Sequence, residues 1–140
     1  MSGTILVRDI MTRSVQTVGV SASVREAVLK MNKYRIGSIV VIGRGKPVGI
    51  VTERDILERI VEPFIDPRTI GVKEIMSSPV VTIPPDTSIE EAATLMAKNG
   101  IKKLPVMEDE RLVGIVTTMD LMRAGPRLIN VLEELLRVSR

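Results

Sequence analysis

The chain has 140 residues, of which 44% are hydrophobic and 26% are charged, a balance typical of a folded globular protein. It contains neither cysteine nor histidine, which excludes disulfides and cysteine-ligated metal sites and removes the commonest general base. The net charge is only +3, and its 20 basic and 17 acidic residues are interspersed, so a nucleic-acid-binding surface is not expected. We therefore expect a protein that is not an enzyme and holds no resident metal.

Apolar runs are short throughout the chain. The run at 39–42, for example, falls far below the roughly 18 residues that span a membrane, and residues 1–10 carry charges rather than a signal-peptide core. We therefore expect a cytoplasmic protein with no membrane partner. Only Tyr34 and Phe64 are aromatic, too few to form a stacking platform for single-stranded nucleic acid.

One sequence pattern occurs twice, because residues 7–57 align without a gap with residues 72–122, 65 positions later. Apolar positions match almost throughout, which indicates an internal tandem repeat. We predict four segments: a first repeat at 1–61, a connector at 62–71, a second repeat at 72–124 and an additional amphipathic helix at 125–140.

Each repeat opens with a short amphipathic turn, at 7–11 and 72–76, and continues into a short β run, at 15–18 and 80–83. A helix is predicted next. The motifs Ser23-x-x-Glu26 and Ser88-x-x-Glu91 are typical capping boxes that start it. Apolar residues at helical spacing then predict one buried face on each helix: Val24, Ala27, Val28 and Met31 in the first, and Ile89, Ala92, Ala93 and Met96 in the second.

Two further β runs follow in each repeat, separated by a polar loop that predicts a hairpin. They lie at 39–42 and 48–51 in the first repeat, and at 104–107 and 112–116 in the second. The last run leads into a second helix through the sequence Gly-Ile-Val-Thr-x-x-Asp, at 49–55 and 114–120. Each repeat is therefore predicted to fold as β-α-β-β-α.

After Pro126, a run of apolar residues at helical spacing predicts a helix that has no counterpart in the repeat. Its apolar face comprises Leu128, Ile129, Leu132, Leu135 and Leu136. Periodicity alone does not decide whether this face packs on its own domain or on a second chain.

The repeated motif has two interpretations. Thr52 with Asp55, and Thr117 with Asp120, have the spacing of a helix cap, in which hydroxyl and carboxylate accept first-turn N–H groups. The same groups could bind a ligand, since a threonine hydroxyl can bond a phosphate and a carboxylate can accept both hydroxyls of a ribose. The spacing does not choose between these interpretations.

The complete pattern resembles a pair of CBS domains, a Bateman module, over about residues 7–123. The motifs that carry the resemblance are the two Gly-Ile-Val-Thr-x-x-Asp sequences and the openings Asp-Ile-Met and Glu-Ile-Met. It implies an α/β (α+β) fold in which two β-α-β-β-α repeats pack as one pseudo-two-fold, stand-alone module. It also implies adenine-containing ligands, commonly AMP, ADP or ATP and sometimes S-adenosylmethionine, bound in two clefts between the repeats.

The ligand-binding positions that the resemblance implies fall into two sets. The preferred cleft would use Asp120, Thr117, Ile115, Lys102, Lys103, Val15, Gln16 and Ile36. The other cleft would use Asp55, Thr52, Arg54, Ile50, Gly37, Ser38, Val80 and Val81.

The two clefts differ in charge, because Lys102 and Lys103 stand where the first repeat has Gly37 and Ser38. Two ammonium groups near a phosphate would make the Asp120 site the tighter one, although adjacent lysines are equally typical of a solvated surface. Arg54 could partly replace them by bonding a phosphate. The alternative for Arg54 is an ordinary exposed helix residue.

The function that we expect is a regulatory sensor module that binds an adenine nucleotide as ligand and uses no catalytic cofactor. Its output would pass through its own oligomer, for which the resemblance implies a homodimer, or through an unknown protein target. One alternative is a structural or protein-interaction module whose Thr-x-x-Asp motifs are only caps and whose clefts stay empty. The other is a binder of S-adenosylmethionine or a related adenosyl ligand.

Overall fold

The computed structural model describes residues 3–138, except the side chain of Val138. The chain forms two compact units: unit 1 contains the residues up to Val15 and those from Val81 onward, and unit 2 contains Gln16–Val80. The two boundaries lie 65 residues apart, at equivalent positions of the repeats. Each unit therefore combines the strands and helices of one repeat with the opening turn of the other.

The predicted α/β architecture with two β-α-β-β-α-like repeats and a C-terminal helix is confirmed. The described elements are, in chain order, α1 (Val7–Ile10), β1 (Thr17–Gly19), α2 (Val24–Tyr34), β2 (Ser38–Gly43), β3 (Lys46–Thr52), α3 (Glu53–Ile56), a π-helical turn (Leu57–Val61), a 3-10 turn (Val72–Glu74), α4 (Ile89–Asn99), β4 (Lys103–Glu108), β5 (Arg111–Thr117), α5 (Thr118–Ala124), a second 3-10 turn (Pro126–Leu128) and α6 (Ile129–Val138).

Unit 2 contains a three-stranded sheet in the order β1-β2-β3. β1 runs parallel to β2, and β2 pairs antiparallel with β3 as the predicted hairpin. Helix α2 begins at its predicted capping box, since the Ser23 hydroxyl accepts the Glu26 N–H at 3.1 Å and the Glu26 carboxylate accepts the Ser23 N–H at 3.0 Å. Its side chains Val24, Ala27 and Met31 are buried in the unit 2 core.

Unit 1 contains the antiparallel hairpin of β4 and β5. Helix α4 begins at the second predicted capping box, that of Ser88 and Glu91. Met96 of α4 is fully buried in the unit 1 core. Met31 of α2 is likewise buried in the unit 2 core, so the methionines of both helical faces are core residues.

The prediction of a β-strand at 80–83 is wrong, because the structure has no strand there. Only Ile83 pairs there, through a single parallel bridge to Val106. Pro79, Pro84 and Pro85 surround the run, and a proline has no N–H to give to a strand ladder. The corresponding run in the first repeat does form a strand, β1, beginning two residues later than predicted.

Within the connector at 62–71, an aspartate and an arginine pair with each other. The Asp66 carboxylate accepts the Arg68 backbone N–H at 2.9 Å and pairs with its guanidinium at 2.8 Å. These bonds to Arg68 lower the pKa of Asp66 to about 2. The pair therefore remains charged at any pH where carboxylates are normally ionised.

Helix α6 packs on its own unit, which settles the question that its periodicity left open. Leu128, Leu132 and Leu135 are buried in the unit 1 core, and α6 contacts α4. The prediction was wrong for Ile129, which is 47% exposed. At about 100° per residue, Ile129 falls at the edge of the face centred on Leu132 and Leu135. No helix in the described part of the chain is long and apolar enough to span a membrane.

Candidate functional site

In unit 1, the strand that leads to the repeated motif is joined by the opening turn. Thr12 and Ile115 exchange two backbone hydrogen bonds of 2.9 Å. The Met11 side chain lies against the α-carbon of Gly114, where an added Cβ would collide with the Met11 sulfur and lie 3.0 Å from the Thr12 carbonyl oxygen. Glycine is therefore required for this close approach. The contact holds the opening turn against β5, the strand that ends at Thr117.

Unit 2 repeats this arrangement. Ser77 and Ile50 exchange backbone hydrogen bonds of 2.9 and 3.1 Å, and the Met76 side chain lies against Gly49. The openings Asp-Ile-Met and Glu-Ile-Met thus pair in space with the glycines of the repeated motif. Each pair joins an opening turn to the motif of the other sequence repeat, within a single unit.

Both Thr-x-x-Asp motifs form helix caps. In unit 1, the Thr117 N–H donates to Oδ2 of Asp120 at 2.9 Å, and the Asp120 N–H donates to the Thr117 hydroxyl at 3.2 Å. In unit 2, the equivalent bonds of Thr52 and Asp55 measure 2.9 and 3.1 Å. The cap interpretation is therefore correct for both copies, but each cap uses only one carboxylate oxygen.

The second oxygen of Asp120 is left to accept a further donor. Oδ1 makes no hydrogen bond to any residue in the described part of the chain and lies 3.6 Å from a guanidinium nitrogen of Arg123. The Asp120 side chain is 16% exposed. Oδ1 is therefore a carboxylate oxygen of a mostly buried side chain that still has the capacity to accept a hydrogen bond.

In Asp55, by contrast, both carboxylate oxygens accept hydrogen bonds. The Ser77 hydroxyl lies 3.1 Å from Oδ1 and 3.3 Å from Oδ2, and an Arg59 guanidinium nitrogen lies 3.9 Å from Oδ1. Arg59 also donates to the Ile75 carbonyl oxygen at 2.7 Å. The Asp55 side chain is only 7% exposed. Thr12, the counterpart of Ser77, makes no hydrogen bond to Asp120 among the described residues, so only Asp55 is enclosed in this way.

The two lysines predicted for the preferred site lie beside its cap. The Thr118 N–H donates to the Lys102 carbonyl oxygen at 3.1 Å, and Lys103 is the cross-strand partner of Thr117. Residues directly opposite in an antiparallel pair project from the same face of the sheet. The backbones of Lys102 and Lys103 therefore lie beside the cap that Thr117 and Asp120 form.

Unit 2 has a carboxylate where unit 1 has a lysine. The Glu53 N–H donates to the Gly37 carbonyl oxygen at 3.0 Å, and a Cβ built on Gly37 would lie 3.1 Å from Oε1 of Glu53. Gly37 is the counterpart of Lys102, so the Glu53 carboxylate covers the equivalent position. Sequence reasoning missed Glu53 and also Ser77, although aligning the two copies residue by residue would have shown both differences.

Arg54 is an ordinary surface residue in this structure. Its guanidinium lies 3.1 Å from the Glu58 carboxylate, one helical turn along, and both side chains are more than half exposed. Such pairs contribute little to stability. In this structure Arg54 therefore pairs with a neighbouring carboxylate of its own helix, as the interpretation of an exposed helix residue expects.

The remaining predicted residues divide between the units. Ile115 and Val15 belong to unit 1 with Asp120, and Ile50, Gly37, Ser38 and Val80 belong to unit 2 with Asp55. Gln16 and Ile36 belong to unit 2 and Val81 to unit 1, so each of these three lies in a different unit from the aspartate of its predicted set.

Comparison with known proteins identifies the family of both repeats. The CBS-domain model matches residues 7–62 and 72–127. An uncharacterised protein of Methanopyrus kandleri is 36% identical over 134 residues, which cover 94% of this chain and 66% of that protein. The CBS domain-containing protein YhcV of Bacillus subtilis is 38% identical over 132 residues, covering 89% of this chain and 94% of YhcV. This chain therefore spans less than two thirds of the first relative and nearly all of the second.

A solved structure shows the same fold. The hexameric CBS-CP12 protein from bloom-forming cyanobacteria superposes with a TM-score of 0.79 at 29% sequence identity. The match covers 98% of this chain and 99% of that one.

Proposed function

Because this chain belongs to the CBS-domain family and contains two such domains, we propose that it is a non-catalytic regulatory module that binds an adenine nucleotide. The ligand is AMP, ADP or ATP, and the Asp120 motif of unit 1 binds it. The observation that carries this proposal is the carboxylate of Asp120, which keeps one oxygen outside the helix cap, beside two lysines.

Each group of this site has a role that its geometry supports. Oδ1 of Asp120 accepts a ribose hydroxyl while Oδ2 keeps the cap intact. The Thr117 oxygen already accepts the Asp120 N–H, so its hydroxyl hydrogen remains to be donated to a phosphate oxygen. Lys102 and Lys103 supply positive charge next to that hydroxyl, and charge-assisted bonds to phosphate are stronger than neutral ones.

The same charges favour a nucleotide over S-adenosylmethionine. That ligand has no phosphate and carries a sulfonium cation, which the lysines would repel.

The output of the module is proposed to depend on its own oligomer or on a separate protein target. A ligand changes the population of a state only if it binds that state more tightly than another. We propose a homodimer as the responding assembly. Leu57 and Val61 in the π-helical turn are more than half exposed, and Phe64 is 95% exposed, so unit 2 presents apolar surface suited to association.

Calorimetric titration of the nucleotide-free chain tests the proposed site. We expect saturable binding of AMP, ADP or ATP that is weaker in Asp120→Asn by about 1 to 3 kcal/mol, the cost of losing a hydrogen bond to a charged group. Lys102→Ala should weaken ATP binding more than adenosine binding, because its effect acts through phosphate. Titration with S-adenosylmethionine under the same conditions compares its affinity with that of the nucleotides.

Two controls separate a ligand site from a general loss of structure. Asp109→Asn changes an aspartate in the exposed β4–β5 turn and should bind like the wild type. Asp55→Asn should also retain binding, because Asp55 is enclosed by Ser77. If no nucleotide binds at about 1 mM, where an affinity of about −4 kcal/mol is detectable, the motif is only a cap and the proposal fails.

A further inference from the structure

The two copies of the motif differ most where a phosphate would lie. Next to the capping threonine, unit 1 has Thr118 and Lys102, whereas unit 2 has Glu53 and Gly37 at the equivalent positions. The backbone bond between these neighbours is the same in both units, 3.1 Å in unit 1 and 3.0 Å in unit 2. The backbone arrangement is therefore the same in both copies. The charged side chain beside it is a lysine in unit 1 and a glutamate in unit 2.

The two arginines that follow Glu53 in α3 and the π-helical turn are engaged with other groups. The Arg54 guanidinium pairs with Glu58, and Arg59 is held between the Asp55 carboxylate and the Ile75 carbonyl. Glu53 itself is exposed, and its carboxylate lies over Gly37. An incoming phosphate would therefore meet a negative charge in the place where unit 1 offers a positive one.

We propose that Glu53 is a specificity-determining residue that keeps phosphorylated nucleotides out of the Asp55 motif, so that each chain binds one nucleotide, at Asp120. This inference rests on the proposed function of the Asp120 motif. Ser77 adds to the effect, because its hydroxyl occupies the Asp55 oxygens that a ribose would need. The repeated sequence motif thus occurs twice but serves as a nucleotide site once.

The test uses the full chain with ATP binding at unit 1 weakened by Asp120→Asn, so that binding gained by further changes in unit 2 is measured above the binding that remains. We expect calorimetry to find one ATP per wild-type chain and only residual binding in Asp120→Asn. Adding Glu53→Thr, which installs the unit 1 residue, should strengthen the residual binding at least about tenfold, since like charges in a partly solvated site repel on that scale. Adding Ser77→Ala as well should strengthen it further.

Two control variants identify the restored site. A further Asp55→Asn change should abolish the restored binding. Glu62→Thr removes an exposed glutamate of the same unit, downstream of the π-helical turn, and should restore nothing. Circular dichroism confirms that each variant is folded before it is titrated.

The outcomes distinguish this inference from the function on which it rests. Two equivalent ATP molecules per wild-type chain, or no gain from Glu53→Thr with Ser77→Ala, would overturn the inference and leave a nucleotide-binding protein. No ATP bound by any variant, including the wild type, would overturn the proposed function itself.

Discussion

Asp55 and Asp120 occupy equivalent positions in sequence and form equivalent helix caps, yet their second carboxylate oxygens have different surroundings. In Asp55 that oxygen accepts from Ser77, and in Asp120 it remains open to a ligand. A buried polar group that is fully hydrogen-bonded contributes to stability, whereas an oxygen left to accept from a ligand contributes to binding. The same residue type therefore has a mainly structural role in unit 2 and, in our proposal, a binding role in unit 1.

This difference predicts unequal losses of stability when each aspartate is truncated. Asp55→Ala leaves the Thr52 N–H and the Ser77 hydroxyl without their acceptor, which should cost about 2 to 3 kcal/mol. Asp120→Ala removes only a cap and should cost about 1 kcal/mol. Urea denaturation followed by circular dichroism measures both values, and equal losses would contradict the distinction between the two sites.

Elements that depend on local sequence were predicted well. The capping boxes at Ser23 and Ser88 and the two β-hairpins were found where the sequence indicated them, because their signals lie within a few residues. The run at 80–83 was not, because the surrounding prolines outweighed its β-branched residues.

Contacts between distant segments could not be read from the sequence in the same way. Periodicity does not say which strand an opening turn joins, so the pairing of Met11 with Gly114 appeared only in the structure. Aligning the repeats shows that Ser77 stands opposite Thr12, but not that its hydroxyl bonds Asp55, 22 residues away in the chain. Of the candidate site, the two helix caps were therefore predictable from the sequence, whereas the contacts that enclose Asp55 were not.

The packing of the opening turns predicts the effect of a single methyl group. Gly114→Ala places a Cβ against both the Met11 side chain and the Thr12 backbone, and overpacking of this kind should cost about 1 to 3 kcal/mol. For Gly49→Ala the three nearest atoms all belong to the flexible Met76 side chain and none to the backbone, so this change should cost less. The matched control is Gly19→Ala, where no atom lies within 4 Å of the added Cβ.

The measurement is the urea midpoint of each glycine variant at constant m-value. A Gly114→Ala chain as stable as Gly19→Ala would show that the Met11 contact does not hold the opening turn. Nucleotide titration of Gly114→Ala adds a second readout, because a displaced β5 should also weaken binding at Thr117 and Asp120.

At the scale of the whole molecule, a duplicated sequence has given two chemically different units. Unit 1 carries the lysines and an open carboxylate, whereas unit 2 carries Glu53 and an enclosed one. In our proposal the chain responds to one nucleotide, so its binding curve for a monomer is a simple hyperbola. Any cooperativity would then have to arise between chains, which makes the oligomeric state the next property to measure.

We predict that the chain is a homodimer at micromolar concentrations and that the π-helical turn contributes to its interface. Val61 and Leu57 are apolar and more than half exposed there, so burying them against a second chain would be favourable. Val61→Asp places a charge in that surface and should shift sedimentation toward the monomer, since an unpaired charge is costly to bury. Arg44→Asp, in the exposed β2–β3 turn, introduces the same side chain elsewhere in unit 2 and should leave the dimer intact. A wild type that sediments as a monomer at all concentrations would refute the dimer, and an equal response of both variants would place the interface away from this turn.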